Sequence, residues 1–502
     1  MIAVAEELGK PFTAASRIAV LGFALAAIAC VLFYETLATS GQPTVAVIWG
    51  GLALATYIAG LLFLASASQR TGIGLARWKI GPWILLWYAV TFGVATVTWS
   101  KPPTSGVLSE IAVPSVIRAV WMLTAGISAW FLGYVAGPGQ VVMRTGYRTV
   151  RAFGNRFTGE VRSLAAPWTL YAVGIAARLV TVASTGRFGY LGNASSAVNT
   201  AGSYQGIIGA LALCAPLALT AASLQVFRDS IKGAQITLTV LFLIEIGFGV
   251  AAGNKQDFVI AVLAVIIPFG AARRRLPRIA IVGVIVTFLL VVIPFNQSYR
   301  IAVRQGATTL TPSRGVATAP TVMKETLTNG NMAGVAVNSL FYLTQRIREI
   351  DNVAIMIQRT PAQVPFISPV QLIEQPVIGM IPRMIWPSKP ILISGYQFGQ
   401  VFYGLPAIIY TSTPDTMIGG LYWHGGWISL IVGMILFGAA IRLLDNALDV
   451  RANPHAIILV LLLFPTLVGG ETDWDTFLGA IPAISFTFLV SVVIIFRPRR
   501  RI

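Results

Sequence analysis

The sequence predicts an all-α polytopic membrane protein with about twelve transmembrane helices and one large extracytoplasmic loop containing an amphipathic helix. Three observations predict it. The 502 residues are 56% hydrophobic and 11% charged, whereas a soluble domain carries about 25% charged residues. Apolar runs close to the roughly 20 residues that cross a bilayer recur along the chain. Basic residues gather at alternate ends of those runs, as the positive-inside rule requires.

The expected spans are 18–38, 44–66, 80–99, 115–136, 164–184, 205–226, 234–252, 257–272, 279–295, 418–440, 455–470 and 476–496. With the N-terminus inside, the inner loops hold Arg70, Arg77 and Lys79, then Arg144 to Arg162, Arg228 and Lys232, Arg273 to Arg278, Arg442 and Arg451, and the tail from Arg497 to Arg501. The outer loops carry less charge, with Lys101, Glu110, Arg187, Lys255 and Asp257. Twelve spans with both termini cytoplasmic satisfy the rule at nearly every loop. The chain then divides into an N-terminal bundle, 1–295, a large outer loop, 296–417, and C-terminal spans with a basic tail, 418–502. The first apolar run follows Glu6 and Glu7 and lacks a small-residue cleavage site, so it reads as a retained span.

Composition excludes several functions. The net charge of +18 lies largely in clusters at span ends, and no polar basic domain exists to bind nucleic acid. Cys30 and Cys214 both sit in apolar runs, which argues against a disulfide framework or a thiolate metal site. The segment Asp473-Trp474-Asp475 has the Asp-x-Asp form of a metal-holding motif, but it is short and falls outside in this topology. No metal and no cofactor is expected. Within the spans, Glu245 and Arg178 are charges that lipid does not tolerate alone. They are expected to pair, as a structural tie or as part of a polar cavity.

The large loop is basic, carrying among others Arg300, Arg304, Arg346, Arg348, Arg383 and Lys389. Loops of this length generally serve a function. Residues 334–359 place Ala336, Leu340, Leu343, Ile347, Ile350, Ala354 and Ile357 at steps of three and four. That periodicity predicts one amphipathic helix at the interface. A stretch from Pro361 to Pro390 with seven prolines predicts an irregular, rigid path.

The densest chemical segment is Ile381-Pro382-Arg383-Met384-Ile385-Trp386-Pro387-Ser388-Lys389-Pro390. Upstream lies Arg346-Ile347-Arg348-Glu349-Ile350-Asp351; downstream lie Pro414-Asp415 and Gly419-Gly420-Leu421-Tyr422-Trp423-His424-Gly425-Gly426-Trp427. This order, within 340–440, resembles the O-antigen or oligosaccharide repeat-unit polymerases of bacterial cytoplasmic membranes. Those are polytopic proteins with one large extracytoplasmic loop late in the chain. Arg304 to Gly315 also fits an Arg-x10-Gly pattern that some of them carry.

The resemblance implies a glycosyltransferase that moves a growing glycan from one polyprenyl diphosphate to the sugar of another lipid-linked repeat unit. It implies as partners the polyprenyl-diphosphate-linked oligosaccharide, membrane lipid, and a chain-length regulator and flippase of the same pathway. The diphosphate leaves as an anion and needs positive charge set in place beforehand. Arginine suits this because its guanidinium grips phosphate oxygens in pairs. Arg383, Arg346 and Arg348 are the candidates for that task, with His424 and Asp351 as candidate bases for the attacking hydroxyl. Lys389, Arg300, Arg304, Trp386, Asp415, Tyr422 and Lys255 are the candidate binding residues. Each has a plainer alternative: cations snorkelling to headgroups, i,i+3 helix pairs, or an interfacial aromatic belt. The alternatives in function are a glycan ligase of the same chemistry, a transporter or flippase of lipid-linked sugars, and a structural subunit of an envelope complex. Transporters usually pair two halves with discontinuous helices, and no such pairing is visible here.

Overall fold

A backbone surrounded by lipid must satisfy its hydrogen bonds internally, so the apolar runs of this chain fold as helices. The computed structural model describes residues 43–67, 78–102, 106–136, 157–186, 188, 204–273, 277–304, 312–328, 331–390, 394–406, 415–451, 453–468 and 473–498. The expected span 18–38, the Arg-rich segment 137–156 and the tail beyond 498 lie outside those residues.

In chain order the first elements are α1 (Pro43–Ala67), α2 (Ile80–Ser100), α3 (Val113–Ala136), β1 (Phe157–Val161), α4 (Ala165–Thr185), α5 (Gly206–Phe227), α6 (Ala234–Ala252), α7 (Lys255–Arg273) and α8 (Arg278–Val303). The loop that follows contains α9 (Pro312–Leu327), α10 (Met332–Arg346), α11 (Ile350–Arg359), α12 (Gln371–Met380) and α13 (Ser394–Tyr403). The chain then continues through α14 (Met417–Trp423), α15 (Gly426–Ala447), α16 (Pro454–Val468), α17 (Trp474–Ile495) and β2 (Phe496–Pro498). Among the described residues, the ten helices α1 to α8, α15 and α17 are long and apolar enough to cross a membrane. Helix α16 is apolar but only 15 residues long.

The core sits where α3 crosses α15. A Cβ added at Gly133 would lie 1.9 Å from the carbonyl oxygen of Ile435, and one at Gly438 would lie 1.9 Å from that of Trp130. The two backbones therefore touch, which is how small residues bring helices together where water supplies no drive. Other faces stay open to the surroundings: Ile279 on α8, Ile428 on α15 and Leu243 on α6 are all large, apolar and exposed. A soluble protein rarely leaves such surface uncovered.

Polar contacts between elements include a group at each end of the bundle. At one end Asp445 of α15 accepts the backbone N–H groups of Ile80 and Gly81, at 2.6 and 2.9 Å, and the Tyr134 hydroxyl at 2.8 Å. It thus caps the first turn of α2 from another helix. At the same end β1 pairs antiparallel with β2, and Arg497 donates twice to the carbonyl of Arg162. At the other end Asn296 and Tyr299 of α8 donate to the carbonyls of Gly253 and Ala251. There too Trp474 donates to the carbonyl of Leu372 in the loop.

Several expectations need correction. The single amphipathic helix over 334–359 is two helices, α10 and α11, broken at Ile347 to Glu349 because Arg348 turns into the bundle. The bundle does not end at 295. Helix continues to Arg304, since Asn296 and Tyr299 find partners on the turn after α6 instead of water. The expected span 418–440 is broken after His424, where Gly425 and Gly426 take φ of +131° and +68°. Side chains rarely adopt that backbone, so glycine is needed at both positions. The proline-rich stretch is not wholly irregular, because α12 forms within it around Pro376. The β1–β2 ribbon is a small departure from an all-α chain.

Gly438→Leu is expected to force α3 and α15 apart and cost at least about 1–3 kcal/mol by overpacking. Gly247→Ala, where an added Cβ meets nothing within 4 Å, is expected to be neutral. Thermal unfolding of the purified protein in detergent checks both, and equal Tm values for the two variants would refute the close crossing.

Candidate functional site

The break between α10 and α11 aims consecutive residues in different directions. Arg346 stays exposed, while Arg348, Glu349 and Asp351 are buried. Arg348 donates through Nε to Asp351 at 2.8 Å and through Nη1 to the Thr98 hydroxyl at 2.9 Å. Asp351 also accepts the Trp99 indole N–H at 3.0 Å. The guanidinium lies over the Trp99 ring, 5.4 Å from its centroid. Burial pushes the Asp351 carboxyl up, while the Arg348 charge pulls it back. Next to it Asn352 donates to Glu349 and accepts from the Tyr403 hydroxyl. Burial, reinforced by Asp351 and Glu349, raises the Tyr403 phenol above its ordinary range. At the far end of α11, Arg359 pairs with Glu110 at 2.9 Å. The helix is thus tied to the ends of α2 and α3 by both of its termini.

Arg346 belongs to a second group, which is cationic. Lys255, at the start of α7, lies over the Tyr342 ring at 5.4 Å. Arg300 on α8 is within electrostatic range of Tyr342 and of Arg346. Lys101 lies over the neighbouring Phe341 ring at 5.3 Å. Cations from α7, α8, α10 and the turn after α2 therefore gather around two aromatic rings of α10. Arg304, the last residue of α8's helical run, follows Arg300 by just over one turn.

Arg383 and Lys389 are occupied differently. Arg383 donates to the carbonyls of Lys389 and Pro390, at 2.7 and 3.2 Å. Lys389 donates to those of Gly379 and Ile381, both at 2.9 Å. Burial, with Arg383 close by, lowers the Lys389 ammonium. The two cations fix the proline turn that follows α12, whose surface presents exposed Met384, Ile385 and Trp386. The Trp386 indole donates to Ser388 within the same turn.

A third group lies at the other border of the loop. Asp415 is buried beside Asp473. Burial above all, then the charges of Asp473 and Asp475 and a hydrogen bond with Asp473, hold its carboxyl well above the usual range. Two carboxyl groups this close and this buried share a proton. Gly420 leaves room for the pair, since a Cβ there would lie 3.2 Å from Asp415 Oδ2. His424 Nδ1 lies 2.8 Å from the Gly420 carbonyl oxygen. A carbonyl only accepts, so Nδ1 carries the hydrogen and Nε2 the lone pair. Nε2 is buried without a hydrogen-bond partner. Burial lowers the imidazole, partly offset by the Gly420 contact and Asp475. Tyr422 is buried with its ring packed on Phe366 and Trp427.

The expected residues thus sort into four places, of which the proline turn with Arg383, Trp386 and Lys389 is one. Arg346, Arg300 and Lys255 come together; Arg348 and Asp351 form the tie to α2; Asp415, Tyr422 and His424 lie around α14. Helices α11 and α14 pack directly, with Met356 against Gly419. Sequence reasoning missed Thr98, Trp99, Tyr342 and Tyr403. A Trp at a span end reads as a belt residue, and only the folded contact with Asp351 separates it from one. The expected Arg178–Glu245 pair is present within the bundle, with two hydrogen bonds at 2.6 and 3.0 Å and Tyr171 as a third partner. Among the described residues, no group of three or more His, Cys, Asp or Glu side chains is placed to hold a metal ion.

The fold is that of a multi-pass α-helical membrane protein. The chain belongs to the family described as Domain of unknown function (DUF8712), which matches residues 194–450. The match runs from before α5 to the turn after α15. It includes the cationic group except Lys101, and it includes Asp415 and His424 but not Asp473 or Asp475. No curated protein and no solved structure matches the chain.

Arg348→Ala leaves Asp351 buried without its charge partner and is expected to cost about 3–5 kcal/mol, read as a drop in Tm. An unchanged Tm would mean that the pair does not hold the loop. For Asp415, the folded carboxyl titrates above its unfolded value. Its contribution is therefore full below about pH 3.9 and is lost as pH rises through the raised value. Asp415→Asn cannot ionise and is expected to flatten the fall of Tm with rising pH. An identical slope in both proteins would contradict the assignment.

Proposed function

We propose that this protein is a glycan polymerase of the bacterial cytoplasmic membrane, joining polyprenyl-diphosphate-linked oligosaccharide units at the outer face. In this reading the chain has twelve spans and cytoplasmic termini, and the segment between α8 and α14 is extracytoplasmic. The observation that carries the reading is the convergence of Lys255, Arg300 and Arg346 around Tyr342. Three cations from three elements, at the end of a bundle, suit a lipid diphosphate whose tail stays in the bilayer. They supply positive charge where the leaving diphosphate gathers negative charge, and they are in position before the reaction begins. Arg348 supports them by fixing α11, and Arg383 and Lys389 shape the proline turn after α12. Contact with the diphosphate is assigned to Arg346, Arg300 and Lys255.

Arg346→Ala is expected to lower transfer by about 100-fold or more, with membrane levels of the protein unchanged. Glycan profiling of a deletion strain complemented with each variant reads the outcome. Single repeat units accumulating on lipid support the polymerase reading. Full-length polymer stranded on lipid would point to a ligase, and precursor held on the cytoplasmic leaflet to a flippase. Long polymer made at the normal rate by both Arg346→Ala and Arg300→Ala would overturn the assignment of the cations.

A further inference from the structure

The cationic group accounts for only one of the two substrates that such a transfer needs. The group around α14 is built differently. It has three carboxyl side chains, Asp415, Asp473 and Asp475, against one described cation, Arg118 of α3, which is within electrostatic range of Tyr422. It has one histidine, only 8% exposed, whose tautomer is set by the Gly420 carbonyl and whose Nε2 has no hydrogen-bond partner. It also has aromatic surface close by, where Phe366 meets Tyr422 at 5.5 Å and Tyr422 meets Trp427 at 6.2 Å. With its carboxyl groups outnumbering that one cation, such a site suits a neutral, hydroxyl-bearing ligand better than a diphosphate. Carboxylates and an imidazole lone pair accept hydrogen bonds from hydroxyl groups, and aromatic faces pack on the C–H faces of a sugar ring.

We propose that the cluster of His424 and Asp475, backed by the Asp415–Asp473 pair, is a separate half-site for the hydroxyl-bearing glycan acceptor, with His424 Nε2 as the atom that takes the acceptor's proton. This inference rests on the transfer reading given above. The step balances without a further reactant. The acceptor O–H bond breaks and its proton passes to Nε2. The oxygen forms the new bond to the anomeric carbon of the donor. The bond from that carbon to the diphosphate breaks, and its electron pair leaves on the phosphate oxygen. His424 afterwards returns the proton to water. Asp475 favours the imidazolium in between, while the Nδ1–H bond to Gly420 keeps the ring in one orientation. The Asp415–Asp473 pair shares its proton and anchors the start of α14 to the start of α17. Phe366 and Ser429, which pack against the neighbouring Gly425 and Gly426, bring no charge to the ring.

The test uses the full chain in lipid nanodiscs, with two measurements on each variant. One is binding of inorganic pyrophosphate; the other is transfer of lipid-linked glycan. His424→Gln is expected to bind pyrophosphate within about twofold of the wild type while transfer falls about 100-fold or more. Its residual transfer should lose the acid limb of the pH profile. Asp475→Asn, at a half-buried position that tolerates the change more readily, is expected to raise the KM for acceptor and leave pyrophosphate binding alone. Transfer by His424→Gln within threefold of the wild type would overturn the half-site, as would an unchanged acceptor KM in Asp475→Asn. Loss of pyrophosphate binding in both variants would overturn it too, because the two half-sites would then be one. A wild-type protein that neither binds pyrophosphate nor transfers glycan would instead refute the underlying transfer reading, and the half-site with it.

Discussion

The arrangement of this protein depends on one buried ion pair. Arg348 and Asp351 are almost wholly enclosed, at 3% and 5% exposure of their side chains, and are clamped by Thr98 and Trp99. Removing two charges from water is costly, and a pair this deep persists only where other hydrogen bonds complete it. Here the indole and the hydroxyl come from α2, so the pair is satisfied only when the loop is docked. That requirement converts a long connection into part of the bundle. It also sets the direction of Arg346. The break that turns Arg348 inward leaves Arg346 outside, in range of Arg300 and above the Tyr342 ring's end of α10.

The same logic explains why charge is divided so sharply across this end of the bundle. Cations gather over α10, where aromatic rings and partial exposure accommodate them without deep burial. Carboxyl groups gather at α14, where burial forces them to share a proton. Between the two run α11 and α14, packed through Met356 and the bare backbone of Gly419. A mobile tether would not keep two such groups in register. The docked loop does, because both ends of α11 are tied, one to Trp99 and Thr98, the other to Glu110.

Much of the bundle was legible in the sequence because hydropathy acts directly on helix formation in lipid. The expected spans from 44–66 to 257–272 coincide with helices to within a few residues. The Arg178–Glu245 pair was legible for the same reason, since two opposite charges within apolar runs have little alternative to each other. What hydropathy misses is polar residues satisfied by other backbone. Asn296 and Tyr299 read as the start of a loop, yet they continue α8 by bonding to the carbonyls after α6. The amphipathic stripe from Ala336 to Ile357 is real, but periodicity alone does not reveal the inward turn of Arg348 that cuts it in two. Arg383 and Lys389 looked like ligands because they are cations in a rigid turn. Their donors go to that turn's own carbonyls, a use that no spacing discloses. The carboxyl pair was invisible as well, because Asp415 and Asp473 are far apart in the chain and meet only at the ends of α14 and α17.

In the proposed function the docked loop, with its proline turn, faces the outside of the cell. Ile385 is 72% exposed at the tip of that turn, and the chain's two cysteines, Cys30 and Cys214, can be replaced by serine. Ile385→Cys in that background, treated in intact spheroplasts with a membrane-impermeant maleimide, reads out the side of the membrane on which the turn lies. Labelling before the membrane is opened is the expected result. Labelling seen only after permeabilisation would put the cations on the cytoplasmic side and contradict an extracytoplasmic transfer site.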